Sequence, residues 1–268
     1  MTTVTRPRRG APKEIKLIGD KPVYRQSEIV NFFECPKRFH LSRQFQQKAT
    51  PAMDEGLLIE GLIFGFKDEA EKERIVGRKR DSTLASYDQI VKAIKPYFVE
   101  GQSFVKMRYE GPEWVLEGEA DFIGTIQTIK GPIRAIGDLK FTKNIARIWD
   151  GKSSKREYLQ SVFYPFIWWK TTGELLPFVY NVVENEKDLP ADVPPLVRQI
   201  FFMPTVREFE WVETLINTVN DALFYEPNVN ACYGGQFGNV RCPYLYFCTE
   251  GRKLIESSYE IDFNLLED

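Results

Sequence analysis

Two stretches in the middle of the chain constrain its fold most. Over residues 113–128 and 132–142 the apolar pattern shifts from a helical period to a two-residue period, and Lys130-Gly131-Pro132 separates them. This predicts two strands joined by a turn. The first carries Gly118-Glu119-Ala120-Asp121-Phe122, the second Gly137-Asp138-Leu139-Lys140-Phe141. Side chains alternate across a strand, so Asp138 and Lys140 share a face while Leu139 and Phe141 take the other, where they can enter a core. Asp121 is an acid among apolar neighbours. If the hairpin pairs in register, it lies near Asp138.

Two close carboxylates repel unless a positive charge stands between them. A hard divalent cation such as magnesium or manganese suits such a site because it prefers oxygen ligands. It would polarise a phosphate and lower the pKa of a water. Lys140 is placed to stabilise developing charge or to position that water. A D-x-K strand also fits a plain ion pair on a solvated face, and a motif this short does not separate the two.

The rest of the chain is mostly helical around these strands. Ser27 is expected to cap a helix over SEIVNFFEC, which Pro36 interrupts before KRFHLSRQF resumes. Residues 53–75 read as one helix, in which Gly56 to Glu60 sets Glu60 beside an apolar stripe. Residues 84–99 have helical spacing at Leu84, Tyr87, Ile90, Val91, Ile94 and Phe98. Residues 157–171 read as a helix kinked at Pro165, with Gln160 and Tyr164 four apart on one face. Strands over 175–184 and 197–203 and a helix over 205–225 follow. The order predicts an α/β domain with a central mixed sheet flanked by helices.

Residues 1–22 read as a loose basic arm, 23–250 as the folded domain and 251–268 as an acidic tail. The net charge of −2 argues against a general nucleic-acid coat protein. The charge is uneven, however: six bases and one acid lie between Lys140 and Arg156, enough for a basic groove or for an ordinary solvated face. No stretch approaches the ~20 apolar residues of a membrane span. The start, MTTVTRPRRGAPK, lacks an apolar signal region. A cytoplasmic protein is expected.

Taken together, these segments resemble the PD-(D/E)XK nuclease superfamily, within it the RecB-like and phage-exonuclease branch. That branch shows, in order, a G-x-x-x-H or G-x-x-x-E helix, an acidic strand similar to GEADFIG, a strand similar to GDLKF and a Q-x-x-x-Y helix. Here they are Gly56 to Glu60, Asp121, Asp138 with Lys140, and Gln160 with Tyr164. The resemblance implies a restriction-endonuclease-like core. It implies that Glu60, Asp121 and Asp138 ligate the metal with the Leu139 carbonyl, that Lys140 is catalytic, and that Gln160 and Tyr164 steady the site or contact DNA. Glu60 stands where many RecB-like members have histidine, which favours magnesium or manganese over softer ions.

Four cysteines add a second resemblance. Cys35 lies in a pattern similar to S-x-I-x-x-F-x-x-C-P-x-R-F, from Ser27 to Phe39, while Cys232, Cys242 and Cys248 lie near the C-terminus. One cysteine before the nuclease motifs and three after them is similar to the iron–sulfur branch, which includes AddB-type subunits and CRISPR-associated RecB-like exonucleases. Four thiolates hold a [4Fe–4S] cluster or zinc. Zinc sites usually use short C-x(2–4)-C pairs, and none exists here, so the cluster is favoured. Such a cluster would dock the cysteine-rich C-terminal segment on the N-terminal helix.

The resemblance implies a magnesium- or manganese-dependent deoxyribonuclease, an exonuclease before an endonuclease. Its partners would be single-stranded or end-containing DNA and a recombination or CRISPR-adaptation protein, in a prokaryotic cell or phage-infected host. Two other readings stand beside it: a DNA-binding or assembly module of the same fold, and a zinc-stapled structural protein whose acids are solvated.

Overall fold

The computed structural model describes residues 15–45, 50–77, 84–142, 145, 155–184, 190, 193–228, 231, 242–244 and 248. The chain forms two compact units. One comprises Met1–Lys48 with Thr214–Asp268, the other Ala49–Glu213.

The larger unit is built on strands β3 (Phe98–Glu110), β4 (Val115–Thr128), β5 (Gly131–Thr142), β6 (Phe178–Glu184) and β7 (Val197–Phe202), adjacent in that order. Three of the four pairings are antiparallel and β5–β6 is parallel. A parallel pair needs a long crossover. Here it contains the helix α6 (Lys155–Thr172), which packs on β3, β4 and β6. On the opposite layer α3 (Pro51–Phe64) packs on β5, and α5 (Asp88–Ile94) on β6. This is the mixed sheet flanked by helices that the sequence predicts. β6 reads Phe-Val-Tyr-Asn-Val-Val with every residue buried, the continuous apolar run of a strand covered on both faces.

The β4–β5 hairpin forms as expected, but its turn lies one residue earlier. Thr128 pairs with Gly131, so Ile129-Lys130 is the loop. Gly131 takes φ +108°, and the Thr128 hydroxyl donates to the Gly131 carbonyl at 2.7 Å. The expected helix over 53–75 is two helices, α3 and α4 (Glu69–Val76). Gly65 separates them with φ 89° and ψ 160°, a conformation essentially reserved for glycine. Asp68 then caps α4, accepting from the Glu71 N–H at 2.7 Å. The expected helix over 84–99 stops at Ile94, and a short 3-10 turn at Lys95–Tyr97 leads into β3. Phe98 sits in that strand because β4 offers a free edge, a long-range pairing that overrides local spacing.

Pro165 does not break α6, which runs unbroken from Lys155 to Thr172. A proline removes one intrahelical bond, and the buried packing of Phe163, Phe166 and Ile167 holds the helix through it.

In the smaller unit β1 (Leu17–Ile18) and β2 (Lys21–Arg25) form a hairpin, followed by α1 (Gln26–Glu34) and α2 (Pro36–Gln44). Ser27 is not the cap. Arg25 holds the N-cap position, and its N–H is satisfied by the Glu28 carboxylate at 3.0 Å. Pro36 opens α2 at its first position, where a missing N–H is harmless. The final helix, α7, spans Val206–Asn220. Among the described residues no helix is long and apolar enough to cross a membrane. Most of the basic run after Lys140, and all of residues 251–268, lie outside the described residues.

Gly65 sets the geometry between α3 and the segment that follows. Gly65→Ala is expected to lower the unfolding free energy by about 1–3 kcal/mol, the usual range for a forbidden backbone conformation. Urea unfolding at constant slope measures this. An unchanged midpoint would contradict the role given to this glycine.

Candidate active site

The hairpin register decides where the acids stand. β4 and β5 pair from Thr128–Gly131 to Phe122–Gly137. One step further in that register, Asp121 comes opposite Asp138. Opposed residues of an antiparallel pair point to the same face. Here the ladder ends: the Leu139 N–H donates to Asp121 Oδ2 at 2.8 Å. On the other edge of β4 the pairing passes from Ser103–Phe122 to Val105–Ala120, over Phe104 and Asp121. Phe104 has a left-handed φ of 54°, rare for a bulky residue. Asp121 therefore stands beyond the last β4–β5 pair and at an unpaired step of the β3–β4 ladder, whose register continues on either side.

Asp138 is 2% exposed. A buried carboxylate is tolerated only with partners. Its Oδ1 faces the Lys140 ammonium in an ion pair, and its Oδ2 accepts from Gln160 Nε2 at 2.5 Å. Gln160 in turn accepts from the Tyr180 hydroxyl at 3.4 Å, and Tyr180 is the β6 residue paired with Asp138. Lys140 lies 5.5 Å from the centre of the Tyr180 ring. Leu139 turns the other way, into a core with Leu58, Ile59, Ile63 and Ile90. Three of these are on α3, which also carries Glu60, so the packing of α3 on β5 brings Glu60 toward the acids.

The electrostatics record that proximity. Burial, then the charge of Asp138, pushes the Glu60 carboxyl up to about 7, while Lys140 and Lys67 pull it back. Burial, then Asp138 and Glu60, holds Asp121 well above the carboxylate range. Burial raises Asp138 too, opposed by Lys140 and Gln160. Tyr164 is raised by burial and then by Asp138 and Asp121, against a hydrogen bond with Gln160. Thus Lys140 and Gln160 bind Asp138 directly, Asp121 binds the Leu139 N–H, and Glu60 and Tyr164 lie within electrostatic reach of these acids. Tyr180, Glu119 and Lys67 also border the site, and none of them is singled out by its local sequence: Glu119 stands beside Asp121 in the acidic strand, and Lys67 follows the break at Gly65.

The donors are hard carboxylate oxygens whose mutual repulsion a divalent cation would relieve, so their chemistry fits magnesium or manganese. Among the described residues, however, no three Asp, Glu, His or Cys side chains form a ready-made metal cage. Lys140 and Gln160 bind the Asp138 carboxylate, and the Leu139 N–H binds Asp121.

No family model matches the chain. No curated protein matches it either. The crystal structure of a candidate exonuclease from Eubacterium rectale superposes with a TM-score of 0.51 and 16% identity, over 76% of this chain and 83% of that one. The chain shares that protein's fold. The crystal structure of SSO0001 aligns at a TM-score of 0.44 and 10% identity, over 87% of this chain and 88% of that one, a likeness that carries no argument.

In the smaller unit Cys35 lies between α1 and α2, is buried, and accepts from the Asn228 N–H at 3.2 Å. Cys248 is buried with Leu41 and Tyr244, and Cys242 packs against them. Burial raises the Cys242 thiol, opposed by a hydrogen bond from the Tyr244 backbone and by the charge of Arg38, and Cys35 and Cys248 add smaller upward contributions. All three are free thiols. Cys232 lies outside the described residues.

Glu60 binds its proton more tightly in the folded chain than its ordinary value of 4.5 allows. Between about 4.5 and about 7 the native state therefore holds a proton that the unfolded chain releases. Stability falls as pH rises through that window. Metal-free protein unfolded in urea with a chelator is expected to be more stable at the bottom of the window than at the top. Glu60→Gln is expected to flatten the dependence. A wild-type stability that rises with pH there would contradict the repulsion.

Proposed function

We propose that this chain is a metal-dependent nuclease that hydrolyses phosphodiester bonds of DNA, acting from an end. The observation that carries the reading is Asp121 opposite a buried Asp138, with Lys140 and Gln160 fixed on the same sheet face. The fold shared with a protein described as a candidate exonuclease supports it.

Glu60, Asp121 and Asp138 would hold magnesium or manganese, with the Leu139 carbonyl as a further oxygen. Bound there, the cation supplies Lewis acidity toward a phosphate and lowers the pKa of a water. Gln160, supported by Tyr180, keeps the Asp138 carboxylate in one orientation. Lys140, freed from Asp138 once that charge is shared, turns its ammonium to the charge growing on the phosphoryl oxygens. Tyr164 backs Gln160 and keeps water from the buried side. Single-stranded or end-containing DNA is the proposed substrate.

Asp138→Ala and Lys140→Ala are each expected to slow degradation of end-labelled DNA by about 10²–10³ or more, with unchanged circular dichroism. Magnesium or manganese should support the wild type, and calcium should not. Near-wild-type rates in either variant, or full activity in a chelator, would sink the proposal.

We further propose that Cys35, Cys232, Cys242 and Cys248 hold a [4Fe–4S] cluster. Cys242 packs with Cys248 beside Leu41 and Tyr244 and feels the charge of Cys35, although Cys35 is about two hundred residues away in the chain. A cross-link over so long a loop restricts the unfolded chain strongly. Replacing Cys35, Cys242 or Cys248 with alanine is expected to bleach brown, anaerobically purified protein and lower its Tm. Iron-free, colourless wild type that tolerates all three changes would contradict the cluster, and zinc in its place would make the site a zinc staple.

A further inference from the structure

Among the described residues, the acids at the site outnumber the cations. Glu60 feels Asp138 and Glu71 as well as Lys140 and Lys67, and Glu119 adds its charge near Tyr164. A nucleic-acid backbone entering this surface is repelled at each phosphate, not only at the one to be cleaved. Lys140 serves the Asp138 end. Lys67 stands at the other.

Lys67 follows Gly65 by two residues, beyond the end of α3. Its ammonium pairs with the Glu119 carboxylate and lies 5.1 Å from the centre of the Phe104 ring. The two paired side chains are 35% and 32% exposed, so the ammonium is held in place yet open to solvent. Glu119 is two residues from Asp121 on β4, on the same face and about 6.6 Å along it. That is close to the step between successive phosphates of an extended strand. Phe104, which lies under Lys67, is also the residue with the left-handed φ where the ladder passes over Asp121. Strain of this kind gathers at ligand-binding positions.

Resting on the nuclease reading above, we propose that Lys67 is a substrate-binding residue for the phosphate next to the scissile one. Phe104 forms the floor beneath its ammonium. Glu119 holds the ammonium until the DNA backbone displaces it. Lys140 and Lys67 then divide two successive phosphates between them, on either side of the carboxylates.

The test uses the full chain, a single-stranded end-labelled oligonucleotide and magnesium. Cleavage is followed in the wild type, Lys67→Gln, Lys67→Arg and Glu119→Gln. Binding is followed by anisotropy with each change placed on Asp138→Asn, over a range of salt. Lys67→Gln is expected to raise KM and Kd about five- to tenfold, more than it lowers kcat, and to reduce the slope of log Kd against log salt by about 0.7. Lys67→Arg should restore most of the affinity. Glu119→Gln, which releases Lys67, should tighten binding. A lysine that only ties its loop to β4 behaves differently: both glutamine variants then weaken binding alike and leave the salt slope unchanged, which overturns the assignment. Wild-type KM and slope in Lys67→Gln, with an active parent, overturn it alone. A wild type that degrades no DNA with magnesium or manganese removes the nuclease reading and this assignment together.

Discussion

The ion pair between Lys140 and Asp138, closed on its other side by Gln160, is what lets a carboxylate stand buried in this sheet. A lone buried charge would drive the strand apart or take up a proton. With one oxygen ion-paired and the other hydrogen-bonded, Asp138 stays in the interior and imposes its charge on the acids near it. Glu60 and Asp121 pay with raised proton affinity. A folded chain rarely keeps three acids so close without a use for them, because breaking the arrangement into apolar contacts is often neutral or stabilising.

The architecture around this pair has one purpose in geometric terms. β5 is central, with an antiparallel neighbour on one side and a parallel one on the other. The antiparallel neighbour brings Asp121 opposite Asp138. The parallel neighbour brings Tyr180 beside it, and the crossover between β5 and β6 brings Gln160 and Tyr164 over the same face. α3 covers the opposite face, and its apolar residues grip Leu139. Each supporting group is therefore carried by a helix or strand rather than by a loop, which keeps the site narrow in its possible geometries.

Much of this was legible in the sequence, for physical reasons that differ between elements. The β4–β5 hairpin and α6 were readable because strand alternation and helical spacing are local, and the acid pair followed from register alone. β3 was hidden, since Phe98 fits a helical stripe and only the distant edge of β4 makes it a strand. The break at Gly65 was hidden because glycine is tolerated inside helices, and nothing nearby in sequence shows its positive φ. Pro165 lies inside a helix that continues to Thr172, flanked by the buried Phe163, Phe166 and Ile167. Lys67 and Tyr180 carried no motif. They matter through partners about fifty residues and twenty residues away.

The central claim is that Glu60, Asp121 and Asp138 share one charge deficit that a divalent cation fills. Proton release on binding measures it directly. Metal-free protein near pH 6 is titrated calorimetrically with manganese in two buffers of different ionisation heat. The account predicts binding that expels protons, because carboxyls held protonated by burial and repulsion must ionise to become ligands. It also predicts that Glu60→Gln reduces the number expelled. Binding without proton release, or no binding at all, would contradict it.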